Sequence, residues 1–349
     1  MSCIESQIGV TIIVAAFNAE DSIIEALQSA LAQSDVEVEV LVVDDASTDG
    51  GANLVEKLAQ SEPRVRLTRS DKRRGPGHAR NLALDQANGQ WIAVLDADDR
   101  FQADRLTSLL AVARDWDADM VADNLWFVDS SSGRPFDLML HSKHISAPQV
   151  ISTEAFVRNN QPINIKRKYG LLKPIIRRDF LNRHGIRYNL ETFYGEDFLF
   201  YIECLVRGAK FVLVPEAYYF YELSRTSMTR TRSVRHAEIF LEQCNILMHR
   251  EDIRSSPGLM RALTDRSEQL RSDLIYLRFI TALKNRRPVE AFRVISSRPD
   301  LALFFALHIV RSVTLRCSQC SARIIHRNSG IRAAELKKHS AAQPRSNVA

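Results

Sequence analysis

The residues best able to do chemistry in this chain are carboxylates at the ends of apolar runs. Trp91-Ile92-Ala93-Val94-Leu95 reads as a buried strand, and Asp96, Asp98 and Asp99 follow directly. Val36 to Val43 reads the same way and ends in Asp44-Asp45. A further acidic pair, Glu196-Asp197, opens a helix after Gly195. Crowded carboxylates repel one another unless a cation lies between them. A hard divalent ion such as Mg²⁺ or Mn²⁺ takes oxygen ligands and bridges protein carboxylate to substrate phosphate. The chemistry on offer is an Asp-X-Asp site for a metal-bound nucleotide diphosphate. Each cluster alone also reads as a helix N-cap or a solvated acidic turn, and for Asp96 to Asp99 alone the turn is the better reading. Two acidic strand ends in one parallel sheet share a crevice, however, because all its carboxyl ends face one way. That convergence favours a ligand site.

The elements that must position these groups alternate in type. Ile8 to Ala16 is a β-branched run that reads as a central parallel strand. Phe17-Asn18-Ala19 turns the chain into a helix near Ser22 to Gln33, with Ile23, Ile24, Leu27, Ala30 and Leu31 at helical spacing. The Val36 strand, a helix from Asn53 to Ala59 and a short strand from Val65 to Thr68 follow. A basic, glycine-rich loop, Arg73-Arg74-Gly75-Pro76-Gly77-His78-Ala79-Arg80-Asn81, then leads into a helix and the strand to Leu95. This order predicts a right-handed α/β sheet, mostly parallel, with helices on both faces. A helix from Ala103 to Arg114 and strands at Asp119 to Val128 and Leu171 to Ile176 extend it. Ser130 to Val150 reads as a surface excursion, and Phe211 to Val214 and Ala217 to Tyr221 as separate late strands. After Ser233 the pattern is helical throughout.

The net charge of +5 hides a division. Residues 276–349 hold 14 Lys and Arg against 3 Asp and Glu, so the preceding 275 residues are net −6. A nucleic-acid binder that used the basic end is a rival from another class, and the acidic body argues against it. A basic end suits an anionic surface. Leu301 to Leu307 is apolar and flanked by Arg293, Arg298, Arg311 and Arg316, which fits a helix in an anionic membrane interface or one packed on the body. The run to Val310 is shorter than the ~20 residues that cross a bilayer. Five cysteines form no spaced framework, so a reducing cytoplasm is expected, with no signal peptide. Cys317 and Cys320 have zinc-knuckle spacing but lack a second pair, so zinc is not expected.

Taken in order, the motifs resemble the family 2 glycosyltransferases, inverting enzymes of the GT-A fold that use nucleotide-diphosphate sugars. The matching pieces are Val10-Thr11-Ile12-Ile13-Val14-Ala15-Ala16-Phe17-Asn18, Val42-Val43-Asp44-Asp45-Ala46-Ser47-Thr48-Asp49 and Gly75-Pro76-Gly77-His78-Ala79-Arg80-Asn81. Leu95-Asp96-Ala97-Asp98-Asp99, Gly195-Glu196-Asp197 and Tyr221 through Ser227-Met228-Thr229 complete the set, over the first two-thirds of the chain. The overall look is that of bacterial exopolysaccharide enzymes of the succinoglycan type. Ala15-Ala16 departs from the proline that relatives often carry there, a change that a backbone contact tolerates.

The resemblance implies a role for each position. Ala15 and Phe17 would line the base pocket, Asp45 would accept from the uracil N3–H, Arg80 would lie near the diphosphate and Asp96 would hold the ribose. Asp98 would bind Mg²⁺ or Mn²⁺, with Asp99 sharing the metal or positioning the donor sugar. Asp197 would be the general base, with Glu196 orienting it or raising its proton affinity. Arg225 and Ser227 would belong to a flap over the diphosphate. The implied function is inverting transfer of a sugar, glucose favoured, from a UDP-sugar to a growing, lipid-linked exopolysaccharide unit at the inner face of the cell membrane. The catalytic GT-A domain would span residues 1–232 and a basic helical region 233–349. The alternatives are transfer into lipopolysaccharide or capsule and, from another class, a sugar nucleotidyltransferase. The nucleotidyltransferase would need a glycine-rich phosphate cradle with a lysine soon after the first strand, which Phe17-Asn18-Ala19-Glu20 does not supply.

Overall fold

The computed structural model describes residues 9–160, 168–192, 194–223 and 234–296. Four parallel strands, β1 (Val10–Ala16), β2 (Val38–Asp44), β3 (Val65–Arg69) and β4 (Trp91–Val94), are joined by α1 (Ile23–Leu31), α2 (Gly51–Ser61) and α3 (Pro76–Gln86). Next come β5 (Arg100–Phe101), α4 (Arg105–Asp115), β6 (Met120–Asp129), β7 (Arg134–Leu138), β8 (Gln149–Val150) and α5 (Thr153–Arg158). A 3-10 turn at Tyr169–Leu171 leads to β9 (Ile175–Arg177), α6 (Arg178–Arg183), α7 (Glu196–Val206) and β10 (Phe211–Leu223). The single sheet runs β3-β2-β1-β4-β9-β6-β10-β5, with β7 on β6 and β8 on β10.

That order carries the functional geometry. β4 lies beside β1 rather than β3, so the winding reverses between them and their carboxyl ends open a crevice. β1, β2 and β4 are almost wholly buried, as apolar β-branched strands covered on both faces must be. β9 is antiparallel to β4 and β6, so the sheet is mixed at its centre. The two late strands expected from the sequence are one, β10, whose pairing with β6 shifts register between Leu213 and Ala217. Pro215, which has no N–H to give, marks that break. The excursion after Ser130 is partly core: Met139, Leu140 and Ile145 are buried, and Asn124 exchanges hydrogen bonds with the Leu140 backbone at 2.7 and 3.0 Å.

The chain divides into two compact units, one through Leu274 and one from Ile275. The first continues well past residue 232, because α8 (Val234–Met248), α9 (Glu251–Arg254) and α10 (Pro257–Lys284) add Cys244, Leu247, Ile253, Leu259, Leu263 and Leu270 to the main core. In the second, Phe279 and Ala282 pack with Ala291 of α11 (Pro288–Ser296). Leu301 to Ala349, including Cys317 and Cys320, lie outside the described residues.

A polar knot at the amino end of the sheet sets β4 against β1. Glu39 accepts from Thr11 Oγ1 and the Asn88 N–H, both at 2.6 Å, and from Asn88 Nδ2 and Arg66 at 3.1 Å. Thr11 Oγ1 in turn accepts from the Gly89 N–H at 2.8 Å. Gly89 approaches so closely that a Cβ there would stand 2.3 Å from the Thr11 nitrogen. Burial alone would raise the Glu39 pKa, but the hydrogen bonds from Thr11 and Asn88 and the Arg66 charge outweigh it and hold the carboxyl below its usual range. A depressed folded-state pKa contributes stability above the unfolded-state value and loses it as pH falls through the folded one. Glu39→Gln should therefore cost about 2 kcal/mol in urea unfolding at pH 7, and its gap from wild type should narrow as pH falls below about 4.5.

Candidate active site

The crevice gathers carboxylates from distant parts of the chain around two buried cations. Arg80, on α3 and 4% exposed, donates through Nη2 to Asp96 at 2.8 Å. Its Nη1 donates to Glu196 and to Asp197, each at 2.9 Å. Lys173, also 4% exposed, places Nζ 2.8 Å from Asp96 Oδ2 and 2.8 Å from Asp197 Oδ2. Asp96, Arg80, Asp197 and Lys173 thus close a ring in which each carboxylate touches both cations.

The environment sorts the proton affinities. Burial would raise Asp96, yet Lys173 and Arg80 hold it down to about 2. Burial would likewise strip Lys173 and Arg80 of charge, but the surrounding carboxylates keep both firmly protonated. Glu196 is pushed up by burial and by the adjacent Asp197 charge, against the pull of Arg80.

Local structure explains how each group arrives. Asp96 follows β4, and its N–H donates to the Tyr219 hydroxyl at 3.3 Å. Tyr219 on β10 donates in turn to Asp99 Oδ2 at 2.6 Å, and the Glu222 N–H donates to Asp99 Oδ1 at 2.8 Å. Asp99 is therefore buried and engaged at both oxygens, with its proton affinity raised by burial and by Asp98. It fastens the acidic turn to the sheet through both oxygens, whatever else it contacts. Asp98 is exposed, and no ion pair reaches it among the described residues. Although its side chain reaches solvent, the protein crowded around it and the Asp96 charge push its carboxyl up to about 6.

Glu196 and Asp197 begin α7, whose N-cap Gly195 has φ of 73°, the left-handed region that glycine enters freely. A Cβ at Gly195 would stand 2.5 Å from the Phe240 ring of α8, so a side chain is excluded twice over. Gln243 on α8 fixes the same turn by donating to Thr192 Oγ1 and the Tyr194 carbonyl at 2.8 and 2.7 Å. In the motif containing Arg80, Asn81 exchanges hydrogen bonds with the Tyr188 backbone at 2.9 and 2.8 Å. Tyr188 stacks on Phe200 of α7 with centroids 4.0 Å apart, joining α3 to α7.

The other expected positions are placed as follows. Ala15 is half-buried at the carboxyl end of β1. Phe17, just beyond, has the Arg73 guanidinium 3.8 Å over its ring. Asp45 is 3% exposed, and its oxygens accept from the Arg74 and Gly75 N–H groups at 2.8 and 2.7 Å. It shapes the loop that carries Arg73, whatever else it contacts. Arg80 is enclosed by protein carboxylates, so its charge is already matched without a diphosphate. Arg225, Ser227 and Thr229 lie outside the described residues. Lys173, Tyr219 and the Arg105–Asp123 pair were not picked out by motif. Their signal is a charge inside an apolar run, as in Leu171-Leu172-Lys173-Pro174-Ile175-Ile176 or Met120-Val121-Ala122-Asp123.

The residues fit a divalent cation in a limited way. Among the described residues no group of three or more His, Cys, Asp or Glu side chains is arranged around one point. Both oxygens of Asp96 and of Asp99 already accept from the protein, one bond each, so they have less capacity for a cation than a free carboxylate. Asp98 remains, and one carboxylate with substrate phosphates is a usual shell for such an ion.

A reversing, mostly parallel sheet with an acidic crevice at its switch point defines a glycosyltransferase of the GT-A type. The profile for glycosyl transferase family 2 matches residues 11–179. The succinoglycan biosynthesis protein ExoO of Rhizobium meliloti (strain 1021) is 33% identical over 322 residues, 92% of this chain and 89% of that protein. The chain belongs to glycosyl transferase family 2 and is of the exopolysaccharide-biosynthesis type. An Escherichia coli relative, UDP-Glc:alpha-D-GlcNAc-diphosphoundecaprenol beta-1,3-glucosyltransferase WfaP, is 35% identical over 99 residues, 28% of this chain and 39% of that one. The crystal structure of S. aureus TarS 1-349 in complex with UDP-GlcNAc shares the fold, with a TM-score of 0.58 and 19% identity over 84% of this chain and 92% of that chain.

Removing the guanidinium of Arg80 leaves the buried Asp197 and the half-buried Asp96 and Glu196 to a single lysine. Arg80→Met should cost about 3–5 kcal/mol in denaturant unfolding, far beyond the ~0.5 kcal/mol of an ordinary surface change.

Proposed function

We propose that the chain transfers a sugar, glucose first among candidates, from a UDP-sugar to a lipid-linked exopolysaccharide intermediate with inversion at the anomeric carbon. The observation that carries this reading is the meeting of Asp96, Glu196 and Asp197 at one switch point, with Asp98 open beside them. The donor and acceptor classes are supported by the WfaP relative, which uses UDP-Glc and a diphosphoundecaprenol-linked sugar.

In this reading the base stacks near Phe17 and Arg73, and Asp45 retains acceptor capacity for its imide N–H beside the two backbone donors. Asp96 meets the ribose. Asp98 holds Mg²⁺ or Mn²⁺, which supplies positive charge against the departing diphosphate when bound. Asp197 takes the proton of the acceptor hydroxyl as its oxygen attacks the anomeric carbon. The bond from that carbon to UDP breaks on the opposite face, and UDP leaves with the electron pair. The dipole at the start of α7 favours the ionised base.

A UDP-release screen over nucleotide sugars with membrane-extracted lipid acceptors, with and without Mn²⁺, tests the reading. Asp197→Asn should lower turnover at least ~10³-fold while leaving UDP affinity within a few-fold. Asp98→Ala should weaken both Mn²⁺-dependent UDP binding and turnover. Equal loss of UDP binding in Asp197→Asn would remove its assignment as base.

We also propose that the protein works as a peripheral protein on the cytoplasmic face of the membrane. No helix among the described residues is long and apolar enough to cross a bilayer. In the second unit, Val289 and Phe292 of α11 are 72% and 74% exposed, among exposed Lys284, Arg286, Arg287 and Arg293. An apolar pair ringed by cations matches an anionic lipid interface. The chain should sediment with phosphatidylglycerol vesicles and not with phosphatidylcholine ones, and Phe292→Asp should weaken the binding.

A further inference from the structure

Lys173 occupies a place where an unmatched ammonium would be intolerable. It stands in an apolar run, is 4% exposed, and divides its charge between Asp96 on the donor side and Asp197 on the acceptor side, each at 2.8 Å. Its backbone is held as firmly as its side chain. The Lys173 carbonyl accepts from Arg105 Nη2 at 2.5 Å. Arg105 has no exposed surface and forks onto Asp123, with Nη2 at 2.7 Å and Nε at 3.1 and 3.2 Å from the carboxylate. Its guanidinium lies 4.4 Å from the Phe101 ring centroid and 5.3 Å from that of Tyr219. Asp123 Oδ2 also accepts from the Tyr218 N–H at 3.0 Å, next to the tyrosine that ties Asp99 to the acidic turn. A chain of contacts from β10 through β6 and α4 thus ends on the backbone of one lysine.

We infer that Lys173 is a positioning residue of the transfer reaction. It holds the base Asp197 in register with the donor-side Asp96, and the buried Arg105–Asp123 pair seats it through its backbone carbonyl. This rests on the function proposed above. Two directed cations on one base restrict where its remaining lone pairs point, and so where an acceptor hydroxyl must lie. Arg80 cannot replace Lys173, because Arg80 already serves Asp96, Asp197 and Glu196.

The test compares Lys173→Met and Lys173→Ala with wild type. Misplacing a reacting group by an ångström lowers turnover on the order of 100-fold, so kcat should fall by about that factor in both variants. UDP affinity and the donor KM should stay within about threefold, which a global loss of fold would not allow. In Lys173→Ala, methylammonium or ethylammonium should restore part of kcat, and tetramethylammonium at the same concentration should not. Arg105→Lys, which keeps the charge and loses the fork, should lower kcat without response to these amines. A kcat near wild type, a parallel loss of UDP affinity, or absence of amine rescue each overturns the inference.

A urea-unfolding cycle of Lys173→Met, Asp197→Asn and the double variant reads the clamp without any turnover. Coupling of ~10-fold or more in the unfolding constant is expected, and additive costs overturn the clamp. Coupling in a wild type that turns over no nucleotide sugar would discard the proposed function and leave the clamp standing. An active wild type with an unimpaired Lys173→Met would do the reverse.

Discussion

Charge balance in the crevice governs this molecule. Three carboxylates and two buried cations lie together, and an unmatched buried ion among them would cost several kcal/mol. The ring of Asp96, Arg80, Asp197 and Lys173 is electrically even, so the surplus negative charge belongs to Glu196. Glu196 is accordingly the member whose proton affinity rises, while Asp96 is held down to about 2. Such a cluster is a poor source of stability, since apolar residues of similar volume would do as well. Its value lies in fixing where charges stand.

The fold supplies that fixity from every side. The reversal between β1 and β4 brings two strand ends together, and the Glu39 knot at the far end of the sheet locks their relative register. Tyr219 and Asp99 pin the acidic turn to β10, and Asn81 and Tyr188 pin α3 toward α7. Phe240 and Gln243 of α8 press on the turn before Glu196. That last contact gives α8 a reason to pack with the catalytic core, although its sequence marks only the start of a helical region.

What could be read in the sequence follows from this. Strand ends and helix starts were legible because local patterning dictates them, and the motifs around Asp96, Arg80 and Asp197 do meet in one place. The partners of those residues were hidden, because pairing depends on side chains that come together only after the chain folds. Asp45 and Asp99 show the ambiguity most clearly. A carboxylate after a strand looks the same whether it awaits a ligand or accepts from the protein's own N–H and hydroxyl groups, and both of these accept from the protein. Lys173 posed the opposite problem. A lone lysine in Leu171-Leu172-Lys173-Pro174-Ile175-Ile176 announces burial with a partner, but not which partner. Pro215 hid the unity of β10 by presenting the appearance of a strand end.

The closed ring also divides labour in the proposed reaction. Arg80, through Nη1 and Nη2, and Lys173, through Nζ, are already engaged by protein carboxylates. Asp98 stands outside the ring with its side chain reaching solvent, and the protein crowded around it, together with the Asp96 charge, pushes its carboxyl up rather than down. Such a group lacks a cation and gains most from one that the donor carries in. In the proposed reaction, a nucleotide-sugar diphosphate complexed with a divalent ion would meet that need, whereas the free dianion would be repelled. In the proposed reaction the interior cations would thus set the geometry of base and acceptor, and the metal carried by the donor would bring the charge that its departure requires.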